Sequence, residues 1–417
     1  MKVVFCKGQV LGPISGADET LVTYATHLKR AGHAVSVLFM YRPPDADPHY
    51  LRLLEAGVPV ASVAAGLTRS YMRSGREVFH RLLRAAPSMR QLVRSGAQQV
   101  VTSVALRHYE KCLRLLKELA PDLIHVVTPD PSAMVMIRAG HDAHIPVLYQ
   151  ELGIPYHPPD FESYYEQFVS VIPLCSEVAT LSPGLARQCL SKLPINDLPH
   201  ILPVMSGGAV NGAERRPGAG VTFGFAARME RLKGPLALME AFGHAVHGAP
   251  DIYLRMAGSG GQQHSVAARA KQLNVEERYQ YAGVYTSEEQ KSAFMRGLDV
   301  FVMPSLSEGT PNCIVEAMAH GKPVIASSVG GIPDMLEGGA GILVPPADPA
   351  ALAEAIILLA RDGELRERMG EVALASYRKL FSPDAVMPVI LETYRHVVGH
   401  PNGGGAAPAG GSLHPWL

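Results

Sequence analysis

Two apolar segments enclose the stretch Ser305-Leu-Ser-Glu308-Gly-Thr-Pro-Asn-Cys-Ile-Val-Glu316-Ala-Met-Ala-His-Gly321. The segment before it, 299–303, and the segment after it, 323–327, are short and apolar. Such runs are typical of strands that are buried on both faces of a parallel sheet. The quoted stretch then spans a loop and the crossover helix that joins the two strands, which predicts an α/β fold.

The helix in this stretch has recognisable end signals. We expect Thr310 as its N-cap, Pro311 in its first helical position and Gly321 just past its end. The junction between loop and helix then lies at the carboxyl end of a parallel strand, where open α/β sheets bind ligands. The free N–H groups at such a helix start favour a phosphate.

Two carboxylates accompany this predicted phosphate site. Glu308 lies in the loop and Glu316 eight residues later in the helix. Because helical side chains lean toward the helix N-terminus, Glu316 is expected to reach back toward a ligand enclosed by the loop around Glu308. A diphosphate site with two carboxylates for hydroxyl groups describes a nucleotide-sugar pocket. The alternative is that Glu316 is a surface residue on an ordinary crossover helix.

Composition narrows the class of protein. The 417 residues are too many for one ordinary core, so two domains of similar size are expected. The 38 basic residues balance the 38 acidic ones, so the net charge says nothing about nucleic acid. Because aromatic residues that could stack on bases are few, we expect no nucleic-acid partner. The five cysteines are scattered, which predicts neither a disulfide framework nor a zinc site and indicates a reducing cytoplasm. We expect no signal peptide, because no apolar h-region follows the N-terminus, and no membrane-spanning helix, because no apolar run approaches about 20 residues.

Strand-like and helix-like patterns alternate twice along the chain, which predicts two parallel-sheet domains. A Pro- and Gly-rich stretch separates the two alternations. The predicted boundaries are 1–205 for the first domain, 206–220 for the linker, 221–381 for the second domain, 382–398 for a last helix and 399–417 for a disordered tail.

The quoted stretch resembles the glutamate-x7-glutamate motif of retaining glycosyltransferases with the GT-B fold, the "glycosyl transferases group 1" family. Shared positions include Pro304-Ser305, Pro311-Asn312 and Gly330-Gly331-Ile332-Pro333. The resemblance covers most of residues 1–398 and is most specific over 223–346. It implies two Rossmann-like domains that face a cleft, with a C-terminal helix that crosses back to the first domain.

A catalytic set follows from the same resemblance. Arg228 and Lys233 match the family's arginine-x4-lysine-glycine pattern and are implied to hold the leaving diphosphate. Glu308 is implied to bind sugar hydroxyls or to stabilise positive charge on the sugar, and Glu316 to bind the ribose hydroxyls. Taken without the family pattern, cations in a loop are most often solvated surface charges.

The resemblance also implies donor-binding residues in the loops. Gly16 lies in 12–19, which is similar to the family's glycine loop and is not the Gly-x-Gly-x-x-Gly fingerprint of nicotinamide-binding domains. The full expected set of donor-binding residues is Gly16, Gly258, Gly260, Val284, Gly309, Thr310, Pro311, Asn312, Cys313 and Ile314.

In the first domain, His125 and Glu151 are expected to contact the sugar or the acceptor. Val127 stands where the family often has a second histidine. His125 on an apolar strand has the alternative of a core residue. Asp45-Ala-Asp47 lies in a Pro-rich loop and is interpreted as a solvated turn. The resemblance implies a mechanism in which protein cations do the work of a metal. We therefore expect no metal and no cofactor, with a nucleoside-diphosphate sugar as co-substrate.

The segment 69–117 carries eleven basic residues and two acidic ones, with apolar residues at helical spacing. Such a segment favours peripheral contact with an anionic membrane surface, and each cation then contributes about 1 kcal/mol. The alternative is a solvated helix face beside the acceptor cleft. The expected location is the cytoplasm. The sequence leaves open whether the protein lies at the inner membrane surface.

The resemblance thus implies a retaining hexosyltransferase. Such an enzyme is expected to move sugar from a nucleoside-diphosphate donor, with UDP favoured on family frequency, to a hydroxyl of a glycan, glycolipid or small molecule. The alternatives are a nucleotide-sugar epimerase, a catalytically weak nucleotide-sugar-binding partner subunit and a membrane-surface adaptor.

Overall fold

The computed structural model describes residues 1–10, 15–68, 103, 105–127, 130–155, 168–208, 220–285 and 287–401. These residues form two compact units. The first unit takes in the described residues of 1–180, 186–202 and 387–401, and the second takes in those of 181–185 and 203–386.

Each unit has one parallel sheet. The strands of the first unit are β1 Lys2–Lys7, β2 Ala34–Arg42, β3 Val60–Thr68, β4 Leu123–Val127, β5 Val147–Gln150, β6 Glu177–Thr180 and β7 His200–Ile201, in the order β3-β2-β1-β4-β5-β6-β7. The strands of the second unit are β8 Val221–Ala226, β9 Ile252–Ala257, β10 Tyr279–Tyr281, β11 Val300–Met303, β12 Val324–Ser327 and β13 Gly341–Val344, in the order β10-β9-β8-β11-β12-β13. All the strand pairs described are parallel.

Helices connect these strands. In chain order they are α1 Gly16–Arg30, α2 Pro48–Glu55, α3 Tyr109–Leu119, α4 Pro131–Asp142, α5 Pro183–Lys192, α6 Pro235–Gly248, α7 Gln263–Gln272, α8 Glu288–Arg296, α9 Asn312–Ala319, α10 Ile332–Leu336, α11 Pro349–Arg361, α12 Gly363–Leu380 and α13 Pro383–Gly399. From Met387 onward, α13 groups with the first unit.

The central strands are buried because the fold covers both faces of each sheet. All five residues of β4, including His125, and all four of β11 are buried, as expected for strands of a parallel sheet that is covered on both faces. The strand order reverses direction between β1 and β4 in the first unit and between β8 and β11 in the second. At such switch points the loops on either side diverge, which opens a crevice at the carboxyl ends of the strands.

Two strands had no clear signal in the sequence. β3 contains three alanines and a glycine, which have weak strand propensity, and β13 has only four residues. Both strands lie next to only one neighbour in their sheets. Pairing with β2 and β12 therefore determines their conformation more than their own composition does.

Candidate active site

Four loops of the second unit converge at the carboxyl ends of its strands. They follow β8, β9, β11 and β12, and backbone hydrogen bonds join them. Those bonds run from Met229 N to Ser259 O at 2.8 Å, from Leu306 N to Leu232 O at 2.8 Å and from Gly331 N to Gly309 O at 2.8 Å. The switch point between β8 and β11 lies within this loop cluster.

Lys233, Glu308 and Ser305 form a polar group inside the cluster. The Lys233 ammonium donates to Glu308 Oε1 at 2.6 Å, and the Ser305 hydroxyl donates to the same oxygen at 2.7 Å. The Lys233 side chain is 17% exposed and that of Glu308 is 5% exposed. Since a charge with so little solvent contact is stable only when paired, each side chain holds the other in place.

Arg228 lies in the same loop after β8, but its side chain is exposed. The structure therefore brings Lys233 and Glu308 together and places Arg228 at the surface of the loop. A tight turn, in which Glu230 N donates to Arg228 O at 2.8 Å, separates the two cations.

Glu316 is buried in α9 and pairs with Lys291 of α8 at 3.2 Å. Lys291 also pairs with Glu288 at 2.8 Å. Lys291 was not predicted as a site residue from the sequence. Its signal was its position three and four residues before Phe294 and Met295, which places it on the buried face of α8.

Thr310 does not cap α9. The helix begins at Asn312, and Pro311 takes the N-cap position with an extended backbone and no side-chain cap. The predictions for Thr310 and Pro311 as helix-start residues are therefore wrong, because the extended Pro311 delays the first helical turn. The Thr310 hydroxyl is buried and has no hydrogen-bond partner within the described part of the chain. Gly321, with φ +63°, does follow the helix end as predicted.

Two glycines let these loops approach one another. Gly330 has φ +58°, and a Cβ atom there would lie 1.8 Å from the carbonyl oxygen of Glu308. Gly258 has φ +126°, and a Cβ atom there would lie 1.8 Å from the carbonyl oxygen of Ala227. Neither the backbone conformation nor the space admits a side chain at these positions.

The other predicted donor-binding residues of the second unit lie around this cluster. Gly309 is in the loop after β11, while Asn312, Cys313 and Ile314 form the first turn of α9. Gly260 follows β9 and Val284 follows β10. The last two loops are joined because Gly258 N donates to Gly283 O at 2.8 Å and Tyr281 Oη donates to Gly258 O at 2.7 Å.

The first unit has its own polar group at the carboxyl end of β1. Gly16 is the first residue of α1, whose N-cap Ser15 accepts a hydrogen bond from Asp18 N at 3.2 Å. Asp18 forms a fully buried ion pair with Lys7, the last residue of β1. This pair was not predicted from the sequence. Its signals were a lysine at the end of an apolar strand and an aspartate in the first helical turn.

His125 lies in the core of the first unit. Its ring packs at 5.0 Å from that of Phe5, and its Nδ1 lies 2.7 Å from the hydroxyl of Tyr394 in α13. Burial lowers the pKa of His125 to about 3, so the imidazole is neutral at physiological pH. Val127, two residues on, is also buried.

Glu151 follows β5 and is buried. It accepts hydrogen bonds from the Tyr149 hydroxyl at 2.6 Å and from Gly153 N at 3.1 Å. Burial raises the pKa of Glu151 to about 7, although these two donors favour the charged form. Glu151 is therefore a carboxyl group that exchanges its proton near neutral pH.

Glu151 is expected to make stability depend on pH. Its pKa is raised in the folded state, so the folded protein binds the proton more tightly than the unfolded chain. The free energy of unfolding should then fall as the pH rises from about 4.5 to about 7. Glu151→Gln has no carboxyl group to ionise in the folded state. The variant should therefore be more stable than the parent at pH 8, with little difference at pH 5.

Urea unfolding of both proteins at the two pH values measures this effect. Glu55→Gln, at an exposed position of α2, is the matched control. A stability difference between Glu151→Gln and the parent that is the same at pH 5 and pH 8 would contradict the assignment.

The architecture defines the class of protein. Two Rossmann-like units, each with a parallel sheet, form the GT-B fold, and solved structures share it. HepE of Anabaena in complex with UDP matches with a TM-score of 0.73 and 20% identity, covering 95% of this chain and 100% of that one. The lipopolysaccharide outer core galactosyltransferase WaaB in its apo form matches with a TM-score of 0.66 and 16% identity, covering 94% and 100%. The predicted GT-B fold is confirmed.

The family comparison concerns the second unit. Residues 220–362 match the family described as Glycosyl transferases group 1. The matched residues include the loops around Lys233, Glu308 and Gly330. Curated relatives include the D-inositol 3-phosphate glycosyltransferase of Paenarthrobacter aurescens, 34% identical over 183 residues, or 42% of this chain and 43% of that protein. The enzyme of that name from Streptomyces coelicolor is 29% identical over 231 residues, or 52% and 50%. These matches span about half or less of each relative's length.

Several predictions made from the sequence fall mostly outside the described residues. These are the basic segment 69–117, the linker and the tail. In the described part of the basic segment, α3 exposes Lys111, Arg114 and Lys117 and buries Cys112 and Leu116. Among the residues described, no helix is long and apolar enough to cross a membrane.

Proposed function

We propose that this protein is a retaining, metal-independent glycosyltransferase that moves a hexosyl unit from a UDP-sugar to a hydroxyl group of an acceptor. The observation that carries the proposal is the group formed by Lys233, Glu308 and Ser305 at the switch point of the second sheet. It combines a held cation with a buried carboxylate where open α/β sheets bind ligands.

In this proposal Lys233 binds the diphosphate of the donor. Its ammonium is held by a carboxylate but keeps part of its surface exposed, so it can donate further hydrogen bonds to phosphate oxygens. Arg228 extends from the same loop, and the start of α9 adds free backbone N–H groups. These positive groups stabilise the charge that develops on the leaving nucleoside diphosphate.

Glu308 and Thr310 then contact the transferred sugar. Glu308 is a buried acceptor for sugar hydroxyls, and the buried hydroxyl of Thr310 has a hydrogen-bonding capacity that no described residue uses. Glu316 binds the ribose hydroxyls, with Lys291 holding its carboxylate in place.

The chemical step is a front-face displacement. The bond between the anomeric carbon and the phosphate oxygen breaks, and the acceptor oxygen bonds to the same face of that carbon. The acceptor proton passes to an oxygen of the leaving phosphate. This route needs no separate general base, which agrees with the buried, neutral His125 of the first unit.

The proteins similar to this chain suggest which nucleotide and which acceptors to test. HepE was solved with UDP and with UDP-glucose, and TarM of S. aureus with UDP, which favours a uridine nucleotide here. The curated relatives are named for D-inositol 3-phosphate, so a phosphorylated polyol belongs among the trial acceptors beside glycan and lipid-linked hydroxyls.

Nucleotide binding is expected to raise the unfolding temperature. UDP at about 100 times its dissociation constant adds about 2.7 kcal/mol to the stability of the unit that binds it. For a unit of this size, 1 kcal/mol corresponds to about 2–4 °C. Differential scanning fluorimetry with UDP, GDP and ADP measures the shift, and uridine without phosphates is the control.

A shift with UDP that greatly exceeds the shift with uridine supports the diphosphate site. Equal shifts with both would contradict it. Release of UDP from UDP-glucose, UDP-galactose or UDP-N-acetylglucosamine in the presence of an acceptor then separates a transferase from a protein that only binds the donor.

A further inference from the structure

Three side chains that commonly bind metals meet in the first unit, away from the proposed active site. They are Glu177 and His200, the first residues of β6 and β7, and His396 in the last turn of α13. Their ligand atoms all lie within 4.8 Å of one another. Since parallel strands begin at one edge of the sheet and end at the other, this cluster lies at the opposite edge from Glu151.

The distances fit metal ligands better than hydrogen bonds. His200 Nε2 and His396 Nε2 each lie 3.5 Å from an oxygen of Glu177, one from Oε2 and the other from Oε1. Good N–H···O bonds measure about 2.7–3.2 Å. Two ligands at about 2.0–2.1 Å from a tetrahedral zinc ion are about 3.3 Å apart. The observed separations are thus close to the spacing that a shared ion imposes.

The surroundings also match a built site. The side chains of His200 and His396 are each 9% exposed, and that of Glu177 is 18% exposed. His396 Nε2 is buried, and no hydrogen bond to it is found among the described residues. A buried imidazole nitrogen that faces a carboxylate at this distance has the geometry of a ligand that needs an ion between them.

We propose that Glu177, His200 and His396 form a Zn²⁺ site that is separate from sugar transfer. Two imidazoles and one carboxylate are a donor set that zinc accepts, and a water molecule would complete the tetrahedron. The ring of His400 lies 4.6 Å from that of His396, at the exposed side of the cluster.

The ion would fasten α13 to the first unit. Next to Glu177, the Ser176 hydroxyl donates to Pro401 O at 2.6 Å, so the chain just after α13 is already docked at this edge. His200 and His396 are far apart in sequence. A shared ion therefore closes a long loop, and such a cross-link restricts the unfolded chain strongly.

Titration of the metal-free, full-length protein with ZnCl2 tests the proposal. The protein must carry no polyhistidine tag and is treated with chelator beforehand. We expect one zinc per chain by calorimetry and a zinc-dependent rise in the unfolding temperature. We expect each of three variants to weaken zinc binding at least about 100-fold: Glu177→Gln, His200→Ala and His396→Ala. A loss of about 100-fold is the largest usually seen when a residue that only supports a metal ligand is removed, and these three residues would bind the metal directly.

His141→Ala is the matched control, because His141 is exposed and also lies in the last turn of a helix of the first unit, but outside the cluster. It should bind zinc as the parent does. Glu177→Gln preserves side-chain volume, and circular dichroism verifies that it folds. UDP binding by the second unit should not change in any of these variants.

The absence of stoichiometric zinc binding to the parent would overturn the proposal. Unchanged affinity in Glu177→Gln and His396→Ala would overturn it as well, since the ion would then sit elsewhere. In either case the cluster is a metal-free contact of two imidazoles with a carboxylate. Failure of the UDP experiment, in contrast, leaves these zinc measurements unaffected.

Discussion

Lys233→Ala is expected to lower the turnover number about 100- to 1,000-fold, the usual cost of removing one donor that stabilises transition-state charge. Lys233 is the cation held at the switch point, and no other described cation contacts Glu308. Its loss removes positive charge where the diphosphate leaves. The rate of UDP release in the presence of donor and acceptor measures the effect.

Two further measurements separate this role from a structural one. Lys233→Ala leaves the buried Glu308 without its cation, so some loss of stability is also expected. A variant with a correctly formed pocket should still bind uridine, while the additional affinity for UDP falls to what Arg228 and the start of α9 supply. Loss of uridine binding as well would indicate that the pocket has collapsed.

Arg231→Ala is the matched control, because Arg231 is exposed in the same turn, two residues before Lys233. Its turnover should remain within about twofold of the parent, since an exposed charge contributes little. Normal turnover in Lys233→Ala, or an equal loss in Arg231→Ala, would contradict the proposed role of Lys233.

Gly330→Ala is expected to destabilise the second unit by at least about 4 kcal/mol. Its positive φ alone costs an alanine about 1–3 kcal/mol. The methyl group would in addition lie 1.8 Å from the carbonyl oxygen of Glu308, so the loop that holds Glu308 must move. Thermal unfolding should show a fall of about 10 °C or more, and UDP binding should weaken at temperatures where the unit is still folded.

Gly338→Ala supplies the comparison. Gly338 has φ +87°, but a Cβ atom there would meet nothing within 4 Å. It lies just after α10, whereas Gly330 lies just before that helix. We expect only the backbone cost at Gly338, with UDP binding unchanged. Equal destabilisation by the two substitutions would show that contact with the Glu308 loop is not the cause.

Much of the fold could be predicted because its central strands are short and mostly apolar. β11 and β12 each begin within one residue of the apolar segments expected from the sequence, 299–303 and 323–327, and end where those segments end. β3 and β13 could not be predicted, because their pairing with neighbouring strands outweighs their weak propensities. The start of α9 was misplaced because Pro311 is equally compatible with the first helical position and with an extended backbone.

The pairing of charges in the candidate site was less predictable. Glu308, Glu316 and Lys233 were recognisable from local motifs, but the partnership of Glu316 with Lys291 joins two helices. The buried pair of Lys7 and Asp18 likewise joins a strand to the following helix. A sequence pattern shows which residues are charged. Only the packing of helices and strands shows which of them form buried pairs.

The sequence by itself determined the class of fold, because strand and helix periodicities depend on neighbouring residues. It also indicated the loops that line the crevice of the second unit, because glycines and charged residues follow the strands there. The tertiary structure alone decided which carboxylate faces which cation, that His125 is buried, and that Glu177, His200 and His396 meet. Such contacts join residues far apart in the chain, and the packing of whole elements sets their distances.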